Sequence, residues 1–194
     1  MIQIDKKFID FSLETYLPEK DEIGDLNNKD SKDKWLVLFF YPADFTFVCP
    51  TELADLNKHF AEFKKLKTEV VVVSTDTVYT HKAWIESEKL LKGLKFKMAA
   101  DHNGKVSKTL EIYDENKGLA GRATFIVDPD GILRDFEIVS DNIGRNASEL
   151  VRKIKALSFV NGHPGLVCPA SWDEGDKTIK KSIKKAGKMF EELA

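Results

Sequence analysis

The chain of 194 residues has two cysteines, Cys49 in FVCPTEL and Cys168 in LVCPASW, and each is followed at once by proline. A thiol does chemistry as its thiolate, which is the nucleophile, and the residue types around Cys49 favour that form. The apolar run WLVLFFY (35–41) reads as a buried strand ended by Pro42. Pro50 suits the first position of a helix, where its missing N–H has no partner to lose. Cys49 is therefore expected at or near the N-cap, facing unpaired backbone N–H groups and the positive end of the helix dipole. Thr46, three residues upstream, has a hydroxyl within reach of the sulfur or of an oxygen bound there. Glu52 falls in the first turn; it favours the dipole but opposes a thiolate, so it is better suited to orienting an arginine than to activating sulfur. Position alone leaves a second reading open, in which Cys49 is a small packed hydrophobe beside Phe45, Phe47 and Val48. Cys168 shifts the balance toward chemistry. It lies in a loop-like arm, not in a periodic apolar segment, and a mobile thiol can condense with a sulfenic acid to form a disulfide.

The totals bound what else the chain can do. Hydrophobic residues make up 42% and charged residues 32%, with a formal net charge of -2 and a pI near 6.1. That balance suits one globular domain with a core and an appendage, and it offers no basic field for nucleic acid or a membrane surface. No apolar run approaches the roughly 20 residues of a membrane span. The N-terminus MIQIDKKFIDF has no long apolar core, so a cytoplasmic location is expected. A structural disulfide is then unexpected. There is no CxxC pair and no Cys/His cluster at metal-ligand spacing, so no metal is expected. The four histidines, His59, His81, His102 and His163, are scattered and read as surface or structural residues. Trp84 and Trp172 read as packing.

Several elements must position these residues. LPEKDEIGDLNNKDSKDK (17–34) is polar and turn-rich and reads as a surface loop. After the 35–41 strand, Leu53, Leu56, Phe60, Phe63 and Leu66 mark an amphipathic helix over 51–67. EVVVVST (69–75) is a second buried strand, followed by a helix over 78–92 that Gly93 can end. A short strand over 96–99 and a short helix over 106–113 come next. RATFIVDPDGILRDFEIVS (122–140) is a hairpin turning at Asp130-Gly131, and 146–160 is a helix. The order predicts an α/β fold, a central mixed β-sheet with helices on both faces. The segment from Asn161 onward reads as an arm with a basic amphipathic end.

PADFTFVC matches the Pro-x-x-x-Thr-x-x-Cys signature of the peroxiredoxins through Pro42, Thr46 and Cys49. VCPASW resembles the Val-Cys-Pro resolving motif of the typical two-cysteine subgroup, and GLAGRATFIVDPDG and NIGRNASEL also fit. From the N-terminus to about Trp172 the chain resembles the bacterial alkyl hydroperoxide reductase C branch. The resemblance implies a thioredoxin-like fold in residues 1–165, a C-terminal arm in 166–194, and a peroxidase without metal or organic cofactor. In that family pattern Cys49 is the peroxidatic cysteine and reacts, once oxidised, with Cys168 of the other subunit of a homodimer that assembles to a decamer. Pro42 shields the sulfenate, Thr46 hydrogen-bonds the peroxide, and Arg122 stabilises thiolate and oxyanion charge. Glu52 and Arg145 orient Arg122. Without the family pattern, Arg122 and Arg145 are ordinary strand-edge and loop arginines. The electron donor implied is thioredoxin or a flavoprotein disulfide reductase. The chain has ENKGLAG where many eukaryotic members carry a Gly-Gly-Leu-Gly insertion, and it ends GKMFEELA without their Tyr-Phe. Relative resistance to inactivation by excess peroxide is therefore expected. Two further readings stand beside this one. A thiol–disulfide oxidoreductase normally needs a second cysteine where Glu52 stands. A chaperone-like assembly needs no thiol chemistry at all.

Overall fold

The computed structural model describes residues 2–190; the last residues of GKMFEELA, 191–194, lie outside them. In chain order the elements are β1 (Ser12–Leu17), β2 (Glu22–Asn27), β3 (Trp35–Phe40), α1 (Cys49–Lys58), α2 (Phe60–Lys65), β4 (Thr68–Ser74), α3 (Val78–Ser87), β5 (Lys97–Ala100), α4 (Lys105–Thr109), β6 (Tyr113–Asp114), β7 (Leu119–Ala120), β8 (Arg122–Val127), β9 (Leu133–Val139), α5 (Ala147–Gly162), β10 (Leu166–Val167) and β11 (Ile179–Lys180). They fall into two compact units, Met1–Ala147 and Ser148–Ala194.

The first unit is built on a seven-stranded sheet in the order β2-β1-β5-β4-β3-β8-β9. β3 pairs parallel with β4, and β4 with β5; the remaining pairs are antiparallel. The sheet is thus mixed, as the sequence predicts. Its central strands are apolar on both faces because both faces are covered: every residue of β3 and of β8 is buried. Leu38, Phe40, Val73 and Phe125 join Phe8 and Leu133 in one core, and Phe125 meets Phe40 edge-on at 5.9 Å. The register decides what the chain meets next. Phe40 pairs with Val73 on one side and with Ala123 on the other. The chain leaving β3 at Tyr41 therefore emerges beside Arg122, the first residue of β8.

Several expected boundaries move. The segment 17–34 is not a plain surface loop. It holds β2, which pairs with β1 from Ser12↔Asn27 to Leu17↔Glu22. Only Leu26 of β2 is buried, as expected for a sheet edge with a wet face, and that is why its sequence reads as polar. The helix expected over 51–67 begins at Cys49 and breaks into α1 and α2 at His59, whose ψ of 6° leaves the helical range. The helix expected over 78–92 stops at Ser87. The Glu88 carboxylate there caps a separate 3-10 turn at Lys89–Leu91 by accepting from Leu90 N–H. The short helix expected over 106–113 ends at Thr109, and Tyr113 belongs to β6 instead.

In the second unit, α5 carries the arm that follows it. Arg152 Nη1 donates to the Trp172 carbonyl at 2.9 Å, Lys155 pairs with Asp173 at 3.4 Å, and Phe159 packs on Trp172 at 5.1 Å. The arm that reads as loose in sequence is therefore tied to its own helix. β10 and β11 close it into a small hairpin.

The β6–β7 hairpin spans ENKGLAG and delivers the chain to Arg122, with Gly121 N–H donating to the Ile112 carbonyl at 2.6 Å. Tyr113 of β6 lies over Gly104, which has φ +67° and where an added Cβ would stand 2.7 Å from the Tyr113 ring. Gly93 has φ +77° but open space around it. Gly93→Ala should therefore cost about 1 kcal/mol, the left-handed backbone term alone. Gly104→Ala should cost about 2–4 kcal/mol, because crowding adds to that term. Urea unfolding of the two variants measures the difference, and equal losses would show that the Tyr113 contact carries no weight.

Candidate functional site

Cys49 is the first residue of α1, with Pro50 second and Val48 as the cap, one position from the expected arrangement. The thiol is 1% exposed, and both cysteines are free thiols. The aromatic neighbours that could have packed the sulfur turn outward instead: Phe45 is 58% exposed and Phe47 94%. The partner of the sulfur is a cation. Arg122 Nη1 donates to Cys49 Sγ at 3.6 Å.

Arg122 is buried, and its other contacts fix the guanidinium plane. Nη1 also donates to Glu52 Oε2, and Nη2 donates to the Asp141 carbonyl at 2.9 Å. Nε is buried with no partner. Burial works to lower the pKa of Arg122, but the Glu52 carboxylate and the Cys49 sulfur together outweigh it and hold the value above normal. Glu52, one turn into α1, is as deeply buried as the sulfur. It receives Arg145 as well. The Arg145 backbone N–H and Nε donate to Oε1 at 2.8 and 2.9 Å, and Nη2 donates to Oε2 at 3.1 Å. The remaining donors of Arg145 go to the Phe40 and Ala123 carbonyls, at 2.9 and 2.8 Å, and to Thr124 Oγ1 at 3.0 Å. The guanidinium lies 3.3 Å over the Phe39 ring. Burial lowers the pKa of Arg145, opposed by Glu52. One carboxylate thus lies between two buried cations.

Pro42 and Thr46 lie on the loop between β3 and α1, both half-buried. The Thr46 hydroxyl donates to the Ala43 carbonyl at 2.8 Å rather than to the sulfur. The structure therefore brings Cys49, Glu52, Arg122 and Arg145 into one hydrogen-bonded cluster, with Pro42 and Thr46 on the loop that enters it. Cys168 belongs to the second unit. It follows β10 and is partly buried against α5, with Sγ 3.9 Å from the Ala156 carbonyl. Burial pushes its thiol pKa up, and the Arg152 charge opposes this.

A second polar group was not anticipated. Asp44, in the same loop, hydrogen-bonds Tyr41 and His81, all three buried. Burial raises the Asp44 pKa against the pull of His81, and burial likewise carries the Tyr41 hydroxyl well above its usual range. The sequence signal for it was weak. His81 and Trp84 share one face of α3, three residues apart, but nothing near His81 in sequence marks its partners. Among the described residues no three His, Cys, Asp or Glu side chains converge as metal ligands, and no helix is long and apolar enough to cross a membrane.

Comparison with known proteins identifies the family. The AhpC/TSA family model matches residues 4–136. The alkyl hydroperoxide reductase C of Staphylococcus epidermidis is 44% identical over 189 residues, 97% of this chain and 100% of that protein. Its namesake from Escherichia coli K12 is 48% identical over 168 residues, 87% of this chain and 90% of its own. Among solved structures, Enterococcus faecalis AhpC aligns with a TM-score of 0.82 at 44% identity, covering 87% of this chain and all of that one. The reduced 2-Cys peroxiredoxin of Plasmodium vivax aligns with a TM-score of 0.91 at 29% identity, covering 97% and 98%. The mixed sheet and its helices are the thioredoxin-like fold of those structures. The chain belongs to the AhpC/TSA family, in the alkyl hydroperoxide reductase C branch of the peroxiredoxins.

Proposed function

We propose that this chain reduces hydrogen peroxide and organic hydroperoxides through Cys49. The observation that carries the reading is the Arg122 guanidinium 3.6 Å from a cysteine sulfur at a helix start. A cation and the first turn of a helix both favour sulfur as thiolate, the nucleophilic form. The thiolate attacks one oxygen of the peroxide, the O–O bond breaks, and the leaving oxygen departs as water or alcohol after taking a proton. Cys49 is left as a sulfenate. Charge grows on the leaving oxygen, and the Arg122 guanidinium, already against the sulfur through Nη1, is the cation that meets it. The Thr46 hydroxyl donates its hydrogen bond to the Ala43 carbonyl, so its oxygen is left to accept from the O–H of the peroxide. Pro42, without an N–H, shields the sulfenate from water. Glu52 and Arg145 hold Arg122 in place.

The cycle closes when the sulfenate takes a proton and the resulting sulfenic acid condenses with the Cys168 thiol of the other subunit, giving a disulfide and water. Two electrons from thioredoxin or a flavoprotein disulfide reductase then restore both thiols. In this reading residues 1–165 carry the peroxidase, 166–194 carry the arm with Cys168, and the working form is a cytoplasmic homodimer that assembles to a decamer. The strongest support is the alkyl hydroperoxide reductase C and the 2-Cys peroxiredoxin that each align over nearly the whole chain.

Cys49→Ser should abolish peroxide consumption. Wild type given one equivalent of peroxide should run as a dimer on a non-reducing gel, and that band should vanish in Cys168→Ser; a wild type that consumes peroxide yet stays monomeric sinks the disulfide step. Glu52→Gln leaves two guanidiniums without their shared anion. It should cost about 3–5 kcal/mol in urea unfolding and slow the single-turnover reaction with peroxide by about 10- to 100-fold. Because burial raises the pKa of Cys168, this thiol is protonated at neutral pH and gains thiolate only as pH rises. Its alkylation by iodoacetamide, followed in Cys49→Ser, should still be climbing at pH 9, and a plateau below that would contradict the raised value.

A further inference from the structure

The loop that carries Pro42 and Thr46 holds a carboxylate between them, Asp44, and its side chain is fully buried. Every polar atom of that side chain is engaged. Oδ1 accepts from the Tyr41 hydroxyl at 2.7 Å, and Oδ2 faces His81 Nδ1 at 2.7 Å. The Asp44 backbone N–H donates to Asp76 Oδ2 at 2.8 Å, which the Ser74 hydroxyl also reaches at 2.8 Å. His81 comes from α3 and is itself fully buried. Its Nε2 faces the Ala99 carbonyl of β5 at 3.3 Å. A carbonyl can only accept, so Nε2 is the donor there, while Nδ1 faces both the Asp44 carboxylate and, at 3.5 Å, the Tyr41 hydroxyl. Buried polar groups this fully satisfied specify one geometry.

The same helix holds the loop a second time. Trp84, three residues on, packs 5.8 Å from the Tyr41 ring and 6.3 Å from Phe45. Phe45 has φ +55°, a conformation a bulky residue keeps only where its surroundings dictate it. α3 therefore grips the loop on two consecutive residues, His81 on Asp44 and Trp84 on Phe45. Thr46 comes next. Among the described residues the hydrogen bonds of His81 go to Asp44, Tyr41 and Ala99 and none goes to Cys49, Arg122 or Glu52.

We propose that His81 is a positioning residue for peroxide reduction: acting through Asp44, it fixes the 42–46 segment so that Thr46 and Pro42 stand where a peroxide meets the Cys49 sulfur. This rests on the reading of Cys49 as the peroxide-reacting thiol. A misplacement of about 1 Å in such a group costs about 100-fold in rate, whereas the Arg122 contact that favours the thiolate does not depend on Asp44. Loss of His81 thus separates two reactions of one sulfur. Reaction with peroxide needs the loop in place. Alkylation by iodoacetamide needs only a thiolate that the reagent can reach, and a loosened loop leaves that access no worse.

The test measures both rates on the full-length reduced protein, peroxide by stopped-flow single turnover and alkylation by mass spectrometry of the Cys49 peptide. His81→Leu should slow peroxide by about 10- to 100-fold with no fall in alkylation. His81→Asn, whose amide can still bond Asp44, should recover to within about five-fold of wild type. The proposal is overturned if the two rates fall together in His81→Leu, if the peroxide rate stays within about two-fold of wild type, or if His81→Asn recovers nothing. Should His81→Leu not fold, Tyr41→Phe decides. It removes one hydroxyl from the Asp44 carboxylate and should slow peroxide alone by about five-fold; an unchanged rate overturns the proposal. A wild type that does not react with peroxide overturns the peroxidase reading itself, while a fast wild type with an indifferent His81→Leu overturns only the role of His81.

Discussion

The site depends on one carboxylate placed between two guanidiniums. Glu52 belongs to α1, Arg122 to β8, and Arg145 to the segment after β9, and no one of them is buried at tolerable cost without the others. Through the carbonyls of Phe40, Ala123 and Asp141 the two arginines also bind the ends of β3 and β8 and the chain beyond β9. The cluster therefore ties the start of α1 to the sheet. A second carboxylate joins it from β9: Arg145 donates to the Thr124 hydroxyl, which donates to Glu137, and the Glu137 charge acts on Arg145. The same arrangement that stabilises the fold thus also sets a cation against the Cys49 sulfur.

Each contact in that cluster is set by strand register before any side chain is considered. β3 runs into the loop at the point where β8 begins, because Phe40 and Ala123 are paired. A slip of one residue would turn Arg122 to the opposite face of the sheet. The buried apolar faces of β3 and β8 prevent that slip, so the hydrophobic core and the polar site are two results of one alignment.

Much of this was legible in the sequence because local chemistry and periodicity agreed. The run WLVLFF could only be a covered strand, Asp130-Gly131 could only be a turn, and Pro50 marked the helix start that carries Cys49. Glu52 was assigned to an arginine by its position near a thiolate, and two arginines are there. What was not legible depended on long-range partners. β2 has a wet face and turn-forming residues, so its pairing with β1 left little trace. The break at His59 has no proline or glycine to announce it. His81 looked incidental because its partners are 37 residues before it and 18 after it. Cys168 was read as a loose thiol because nothing in LVCPASW shows that Arg152, Lys155 and Phe159 of α5 hold the arm that contains it.

The 1% exposure of Cys49 has a consequence for time as well as for shape. A solute of two or three heavy atoms reaches such a sulfur through small fluctuations. Another polypeptide's side chain cannot bond to it unless the first turn of α1 or the loop before it moves aside. The folded site therefore sorts its visitors by size, and the free energy of local opening sets how rarely a large one meets the sulfur. Because that opening pulls against the cluster around Glu52, the strength of an ion pair one turn away sets how long the sulfur stays closed to a partner as large as another chain.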